Sequence, residues 1–397
     1  MQTGVRYDGG VGARICITIA IASGLLLLAG CDAGGLIEIS VLPDGEGGGT
    51  SGVDAGPGDG GPEEDADAGA GDVGVSPVLV AITPTPAGSA PTPGEALSAE
   101  LTTFGAGARA AVLVLPWDAI AEGEDPALAQ RTSFYEAHGK RVALEVAAVD
   151  RLVDHRPAAI AGEAWSSPAA VAAMEKTVDA LFASSGPEVR YLTLGRDVDV
   201  YLEAHPDERS AFVAFVKQVF AYAHDHEDAP PDLEVGVALS HAAPKAEPAF
   251  GNLRDLGDVV AFSYFPGLST FAPAEEPGAA LVVTQLVEAV GSKPIVLSAT
   301  GHASDAAAGG SEDAQQAFFA TLFGAIGAQR KSFALVGVVE LFDAPLSSCA
   351  AWAVAQGGEE GGPLASYACS LGVLRADGAA KPAWQAVLTG SAALSSP

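Results

Sequence analysis

The feature that most constrains the fold is an alternation that begins at Val78, in which short β-rich runs are separated by Ala-rich segments of helical character. Strands that are joined through helices run parallel, and the helices then cover the sheet. Eight strands are predicted, over residues 78–83, 110–115, 141–149, 189–194, 233–239, 259–264, 294–298 and 333–342. Eight such units favour a single (β/α)8 TIM barrel of the α/β class over residues 78–392. A doubly wound sheet is less favoured, because no strand ends in a Gly-rich phosphate-binding turn.

The segments between the strands predict the helices that clad this barrel. Pro168 occupies a first-turn position, and Ser311 precedes two acidic residues, as is typical of helix N-termini. The fifth strand is followed by only a weak helical signal, over residues 246–256. The other helices are predicted over residues 93–104, 125–138, 168–184, 207–226, 275–290 and 311–329.

Residues 1–30 predict a bacterial lipoprotein signal peptide. Arg6 and Arg14 precede an apolar run of about 15 residues, which is short for a membrane span and typical of a secretory signal. The run ends in Leu28-Ala29-Gly30-Cys31, which resembles the bacterial lipobox, so Cys31 is the predicted lipid-modified N-terminus. An ordinary signal peptide with an incidental cysteine is the alternative. The expected location is the bacterial cell envelope, with the membrane as a partner through the lipid anchor.

Residues 31–77 predict a disordered linker between this anchor and the barrel. Residues 32–77 contain eleven acidic residues and no Lys or Arg among many Gly, Ala and Pro. Such a segment buries too little apolar surface to offset the entropy of ordering it. The whole chain has a formal charge of −30, which argues against nucleic acid as a partner because such binding rests on neutralising phosphates.

Two cysteines, Cys349 and Cys369, remain in the exported part and lie 20 residues apart. An even pair in an exported protein predicts a disulfide, which the loop-closure model credits with about 3 kcal/mol. A metal site would need more ligands nearby. The run from His224 to His226 has metal-capable side chains but is interpreted as a solvated helix C-terminus. The sequence therefore predicts no metal and no cofactor.

Functional residues of a barrel come from the C-terminal ends of its strands and the loops that follow. These ends carry aromatic and carboxylate residues, a combination that binds sugars through their C–H faces and hydroxyl groups. Core packing is the alternative for the aromatic residues, and ion pairing with Arg or Lys is the alternative for the carboxylates. For His302 the alternative is an incidental histidine without a ligand contact. The candidate ligand-binding residues are Trp117, Asp150, Arg196, Tyr264, Phe265, His302, Glu340 and Asp343.

Two strand ends carry a family resemblance. The fourth strand ends in Gly195-Arg196-Asp197, and the seventh ends in Ser298-Ala299-Thr300-Gly301. In this order the strand ends resemble those of clan A glycoside hydrolases, the (β/α)8 retaining glycosidases, over residues 78–388. In that family the fourth strand ends in Gly-Asn-Glu, whose Glu is the general acid/base, and a Glu before Thr-Gly on the seventh is the nucleophile. The resemblance places Asp197 at the first position and Ala299 at the second.

The departures from the family fall on these working positions. Retaining chemistry needs two carboxyl groups about 5 to 5.5 Å apart, and the methyl group of Ala299 cannot attack the sugar. Asp197 is one methylene shorter than Glu, which would set its carboxyl about 1 Å back. Arg196 replaces an Asn, and an arginine beside Asp197 is expected to hold that carboxyl group ionised, whereas a general acid must be protonated. The leading hypothesis is a barrel without hydrolytic activity that binds a glycan or oligosaccharide at its rim.

Two alternatives stay open. An active hydrolase would use Asp197 with a relocated carboxylate, Glu340 or Asp343 on the eighth strand, or the pair Glu145 and Asp150 on the third. An inverting mechanism tolerates a separation of about 6.5 to 9.5 Å between the two groups. The third hypothesis is a surface scaffold that binds another protein.

Overall fold

The computed structural model describes residues 3–6, 16–22, 25–29, 77–88, 90–121, 126–246 and 249–396. The chain divides into two units, Met1–Gly71 and Asp72–Pro397. In the first unit Thr3–Arg6, Cys16–Ala22 and Leu25–Ala29 form a three-stranded antiparallel sheet. Cys31 and nearly all of the predicted linker lie outside the described residues, so the lipid anchor and the linker stay predictions. Within the described part of the chain, no helix has both the length and the apolar character needed to cross a membrane.

The second unit contains a closed barrel of eight parallel strands, as the sequence predicts. Each strand pairs with the next one along the chain, and the eighth pairs with the first. A two-residue strand, Val153–Asp154, pairs antiparallel with the end of the third. The barrel strands are β1 (Leu79–Ile82), β2 (Ala110–Pro116), β3 (Arg141–Asp150), β4 (Val189–Arg196), β5 (Glu234–Ser240), β6 (Val259–Tyr264), β7 (Ile295–Thr300) and β8 (Phe333–Val338).

The helices surround the barrel, and one is present in every segment where the sequence predicts it. Ser167 and Ser311 act as N-caps, since their hydroxyl groups accept from Ala170 N and Ala314 N. The helices are α1 (Pro93–Gly105), α2 (Trp117–Ile120), α3 (Pro126–Ala137), α4 (Pro168–Ala183), α5 (Val198–Ala204), α6 (Arg209–Asp225), α7 (Ala249–Arg254), α8 (Ala279–Val290), α9 (Glu312–Ala328), α10 (Leu346–Ala355), α11 (Pro363–Cys369) and α12 (Pro382–Ser395).

The eighth strand is shorter than predicted, because it ends at Val338 instead of continuing to residue 342. Beyond it the backbone turns across the end of the barrel. Val339 N donates to Thr300 O on one side, and Leu341 N donates to Thr83 O on the other. Glu340 therefore lies at the mouth of the barrel and not on a strand.

The interior of the barrel changes from apolar to polar along the strands, because alternate residues of a strand point to the same side. On β3, Val142, Leu144 and Val146 belong to the large core shared with the helices, whereas Ala143 packs inside the barrel with Tyr191 of β4. Two residues further along β3 stands Glu145, which is buried. The barrel interior is therefore apolar toward the N-terminal ends of the strands, and charged side chains begin at the level of Glu145.

A pair of short helices that the sequence did not predict follows β8. We call α10, α11 and the loop between them the helical hairpin. Cys349 of α10 and Cys369 of α11 form the predicted disulfide, with their Cα atoms 5.3 Å apart. The disulfide is thus confirmed, and it links the two helices that lie over the mouth of the barrel.

Candidate functional site

The C-terminal end of the barrel contains a cavity of about 230 Å³, which we call the inner cavity. A larger concavity of about 690 Å³, the side cleft, lies beside it along the loops that follow β4, β5 and β6. Arg151, Asp197, Ser263 and Phe265 line both. Among the predicted site residues, those that line the inner cavity are Asp150, Arg196, Asp197, Phe265 and Glu340.

Asp197 is held at the boundary between the two spaces. It follows β4 in a left-handed backbone conformation, with φ +46°, and its side chain is nearly buried. One carboxylate oxygen accepts from Arg151 Nη1 at 2.8 Å, and the other accepts from the hydroxyl of Ser263. Arg151 is also left-handed, with φ +53°. Such conformations cost free energy in residues other than glycine and concentrate at functional sites.

Arg196 does not make the ion pair with Asp197 that the sequence led us to expect. As the last residue of β4 it pairs in register with Asp150 and points into the barrel. Its Nε donates to Glu145 Oε1 at 2.8 Å, and its Nη1 lies 3.9 Å from Asp150 Oδ2. Asp197 has already left the strand, so a different arginine, Arg151, reaches it.

Glu145 forms an ion pair with Arg196, which was the alternative to ligand binding for the carboxylates. It lies below the cavity inside the barrel, where burial raises its pKa and the charge of Arg196 opposes that shift. Asp343 also forms an ion pair, because its carboxylate accepts from Lys381 Nζ at 2.6 Å. Lys381 is itself buried, and Asp343 does not line the inner cavity.

The position of the family's nucleophile carries no carboxylate. Ala299 is buried on β7 and pairs in register with Ser263 of β6. Its neighbour Thr300 uses its hydroxyl to donate to Gly337 O at 2.7 Å. The residue to which the resemblance assigns the nucleophile's position is therefore a buried alanine, which lines neither the inner cavity nor the side cleft.

Glu340 brings a carboxyl group into the inner cavity from the β8 side. Its Oε2 is buried and accepts no hydrogen bond from any described residue. Burial, followed by the negative charge of Asp343, raises its pKa to about 7, against the opposing charge of Arg196. This carboxyl group is therefore half protonated near neutral pH.

Trp117, Tyr264 and His302 do not line the inner cavity. The core-packing alternative describes Trp117 and Tyr264, and His302 fits the alternative of an incidental histidine. Trp117 is fully buried, donates from its indole to Thr177 Oγ1 at 2.9 Å and stacks on Trp165. Tyr264 is buried and donates to Pro277 O at 3.2 Å. His302 donates from Nδ1 to Ala303 O at 2.8 Å, and burial lowers its pKa. Phe265 is the predicted aromatic residue that does face the cavity.

Several residues of the site were not identified from the sequence. Arg151 follows β3 directly after the predicted Asp150, and Ser263 stands at the end of β6, so both had a positional signal. No signal of this kind in the sequence pointed to the helical hairpin. Its Trp352 donates to Asp150 Oδ2 at 3.4 Å, and its Tyr367 donates to Pro266 O at 2.8 Å. Both aromatic rings line the inner cavity.

The side cleft has carboxyl groups of its own. Asp199 accepts from the backbone N and the hydroxyl of Ser240, at 2.7 and 2.6 Å. Burial and the charge of Asp197 raise its pKa to about 6. Glu276 lies 3.6 Å from His241 Nε2, and that imidazole lowers its pKa. Within the described residues, no three His, Cys, Asp or Glu side chains are grouped so as to hold a metal ion.

Comparison with known proteins supports the fold. The chain resembles the GH5_18 protein of Bifidobacterium longum subsp. longum with TM-score 0.61 and 15% identity, over 80% of this chain and 79% of that one. A GH5_18 protein of Streptomyces cattleya in complex with GlcNAc gives TM-score 0.63 and 15% identity, over 81% and 82%. The exo-beta-1,4-mannosidase Op5Man5 of Opitutaceae bacterium strain TAV5 gives 0.60 and 12%, over 80% and 60%. No protein-family model and no curated protein matches the sequence. At these identities the similarity shows the fold, a glycosidase-like (β/α)8 barrel.

Proposed function

We propose that this glycosidase-like barrel binds a glycan at the mouth of the barrel without hydrolysing it. The observation that carries the proposal is that Ala299, to which the resemblance assigns the nucleophile's position, is a buried residue of β7 without a carboxyl group. Without an attacking oxygen there, the glycosyl intermediate of a retaining glycosidase cannot form. Asp197, at the place of the acid/base, is engaged by Arg151 and Ser263.

The walls of the inner cavity suit a sugar. The half-buried rings of Phe265 and Trp352 offer apolar faces, while Asp150, Arg196 and Glu340 offer hydrogen-bonding groups. At about 230 Å³ the cavity lies below the roughly 300 to 1,000 Å³ of typical ligand pockets, so it suits one sugar ring. Further rings would extend into the side cleft. Structurally similar GH5_18 proteins are known in complex with Manβ1-4GlcNAc and with GlcNAc.

The test combines an activity assay with a binding assay on the full chain. We expect no release of reducing sugar from a panel of polysaccharides that includes mannans and GlcNAc-containing glycans. We also expect saturable binding of at least one oligosaccharide by calorimetry, lost on Phe265→Ala or Trp352→Ala. The exposed Leu101, far from the mouth on α1, provides Leu101→Ala as a control that keeps binding. Absence of binding across the panel would refute the proposal and favour the scaffold hypothesis.

A second candidate, inverting hydrolysis, is favoured by one specific observation. Glu340, with a pKa near 7, lines the same cavity as Asp197. A protonated Glu340 would give its proton to the leaving glycosidic oxygen, and Asp197 would take a proton from the water that attacks the anomeric carbon. Hydrolysis that is abolished by both Asp197→Asn and Glu340→Gln would establish this function. Unchanged hydrolysis in either variant would exclude it.

We also propose that the chain is exported and anchored to the membrane through Cys31. The motif Leu28-Ala29-Gly30-Cys31 and the apolar run before it support this. In bacterial cells that express the full chain, we expect incorporation of a labelled fatty acid and recovery in the membrane fraction. Cys31→Ser should abolish the label, and retention of the label in that variant would contradict the proposal.

A further inference from the structure

The charges around the inner cavity do not balance. Two guanidinium groups each have a close carboxylate partner: Arg151 lies 2.8 Å from Asp197, and Arg196 lies 2.8 Å from Glu145. This leaves two further carboxyl groups on the cavity wall, those of Asp150 and Glu340. Three carboxyl groups and two guanidinium groups thus line the cavity, so the wall carries one excess negative charge when every group is ionised, and Glu145 below the cavity adds a second.

The two remaining carboxyl groups differ in their contacts. Asp150 Oδ2 accepts from the indole of Trp352 at 3.4 Å and lies 3.9 Å from the guanidinium of Arg196. The side chain of Glu340 forms no hydrogen bond or ion pair with any described residue, and its Oε2 is buried. The charged groups that act on it are Asp343 on its own loop and Arg196 on β4.

A buried carboxylate oxygen without a partner is costly, because its interaction with water is lost and nothing replaces it. In folded proteins such groups are few, and each calls for a reason. Glu340 lines the inner cavity, so a ligand there can donate a hydrogen bond to its carboxyl group. A carboxylate also prefers a charged donor to a neutral one, since charge-assisted hydrogen bonds are about twice as strong.

Resting on the glycan-binding function proposed above, we infer that the bound glycan contains an amino sugar with a free amino group, whose ammonium contacts Glu340. An ammonium supplies three donors and one positive charge, which Glu340 and Asp150 together receive. A hydroxyl group would satisfy the hydrogen bond but leave the charge excess, and an acetamido group would do the same. A carboxylate-bearing sugar would be repelled by the excess negative charge.

The test uses three β1-4-linked trisaccharides that differ only in the substituent at C2: the trimer of glucosamine, the trimer of N-acetylglucosamine and cellotriose. Calorimetry on the full chain near pH 6.5 should show the glucosamine trimer bound at least about tenfold more tightly than the other two. The preference should shrink as NaCl is added. Repeating the titration in buffers of different ionisation enthalpy should show proton release, because the bound ammonium keeps Glu340 ionised.

Glu340→Gln keeps the shape of the side chain and removes its charge. We expect it to bind all three trisaccharides alike and to lose the proton release. Glu163→Gln, at an exposed position, makes the same change in net charge and should keep the preference. Equal or weaker binding of the glucosamine trimer by the wild-type chain, or a preference that survives Glu340→Gln, would overturn the inference and leave the proposed function standing. Absence of binding to all three and to the wider glycan panel would overturn both.

Discussion

The carboxyl groups on the two sides of the inner cavity differ in whether they contact an arginine. On the wall formed by the ends of β3 and β4, Asp197 contacts Arg151 at 2.8 Å, and Glu145, below the cavity, contacts Arg196 at the same distance. On the opposite side, Ala299 of β7 does not line the cavity and has no carboxyl group, and Glu340 in the loop after β8 has one without a partner. We call the first wall the satisfied wall because both of its arginines have a carboxylate at 2.8 Å, although Glu145 Oε2 accepts no hydrogen bond from any described residue. The second wall is incomplete until a ligand or a proton is added.

The largest expected effect tests the satisfied wall. Arg151→Met would leave the buried carboxylate of Asp197 without its cation, and breaking one partner of such a pair costs about 3 kcal/mol or more. We expect a loss of that size in the free energy of unfolding, measured by urea denaturation at neutral pH.

Arg375 provides the matched control, because its pair with Glu312 is also short, at 2.7 Å, but lies at the surface. Arg375→Met should cost far less than Arg151→Met, because solvent screens an exposed ion pair. Equal losses in the two variants would show that Asp197 is not internally satisfied, and the contrast between the walls would fail.

The next prediction concerns pH and the incomplete wall. The pKa of Glu340 rises from 4.5 to about 7 on folding, so the folded state binds its proton more tightly than the unfolded state. This stabilisation is complete below about pH 4.5 and is lost as the pH rises through 7. At about 1.4 kcal/mol per pKa unit, the loss contributed by this residue is about 3 to 4 kcal/mol.

Glu340→Gln should remove that contribution, because the amide does not titrate. Urea denaturation at several pH values between 4.5 and 8 should therefore show a flatter decline for the variant than for the wild type. Asp199, whose pKa also rises, to about 6, is unchanged in both chains, so its contribution cancels in the difference. Parallel curves for the two chains would mean that Glu340 is not the unsatisfied group.

The fold was predictable because it depends on patterns along the chain. Strand alternation, the helix N-terminal signals at Pro168 and Ser311, and the even pair Cys349 and Cys369 are local or nearly local signals. They yielded eight strands in the right order, together with the disulfide. The helical hairpin was missed because α10 and α11 are short and lie where no regular alternation continues.

The position of the site was predictable from the sequence, but which arginine contacts which carboxylate was not. The sequence placed Asp197, Arg196 and Glu340 at the mouth, because strand ends meet there. It could not show that Arg196 points inward to Glu145 while Arg151 reaches Asp197, since one residue of shift at a strand end reverses the direction of a side chain. Nor could it separate Phe265, which faces the cavity, from its neighbour Tyr264, which is buried.

A smaller effect tests the missing carboxylate of β7. Ala299→Glu would restore the residue type of the family's nucleophile at a buried position that now holds a methyl group. We expect a loss of about 1 to 3 kcal/mol in stability from overpacking, and no reducing sugar released from the polysaccharide panel, because Asp197 stays bound to Arg151. Ala299→Ser, which is smaller and uncharged, serves as the control. Hydrolysis gained by Ala299→Glu alone would show that Asp197 is free to act as an acid.

The smallest effect concerns Trp352, which connects the helical hairpin to the satisfied wall through Asp150. Its hydrogen bond is long, at 3.4 Å, so Trp352→Phe should cost no more than about 1 kcal/mol beyond the loss of ring size. Trp384→Phe is the matched control, since Trp384 is also half-buried and its indole donates to no described residue. The difference between the two variants in urea denaturation isolates the hydrogen bond. A difference well above 1 kcal/mol would mean that the indole of Trp352 is the main hydrogen-bond partner of Asp150. Glu340 would then be the one carboxylate of the cavity wall that lacks a partner until a ligand binds.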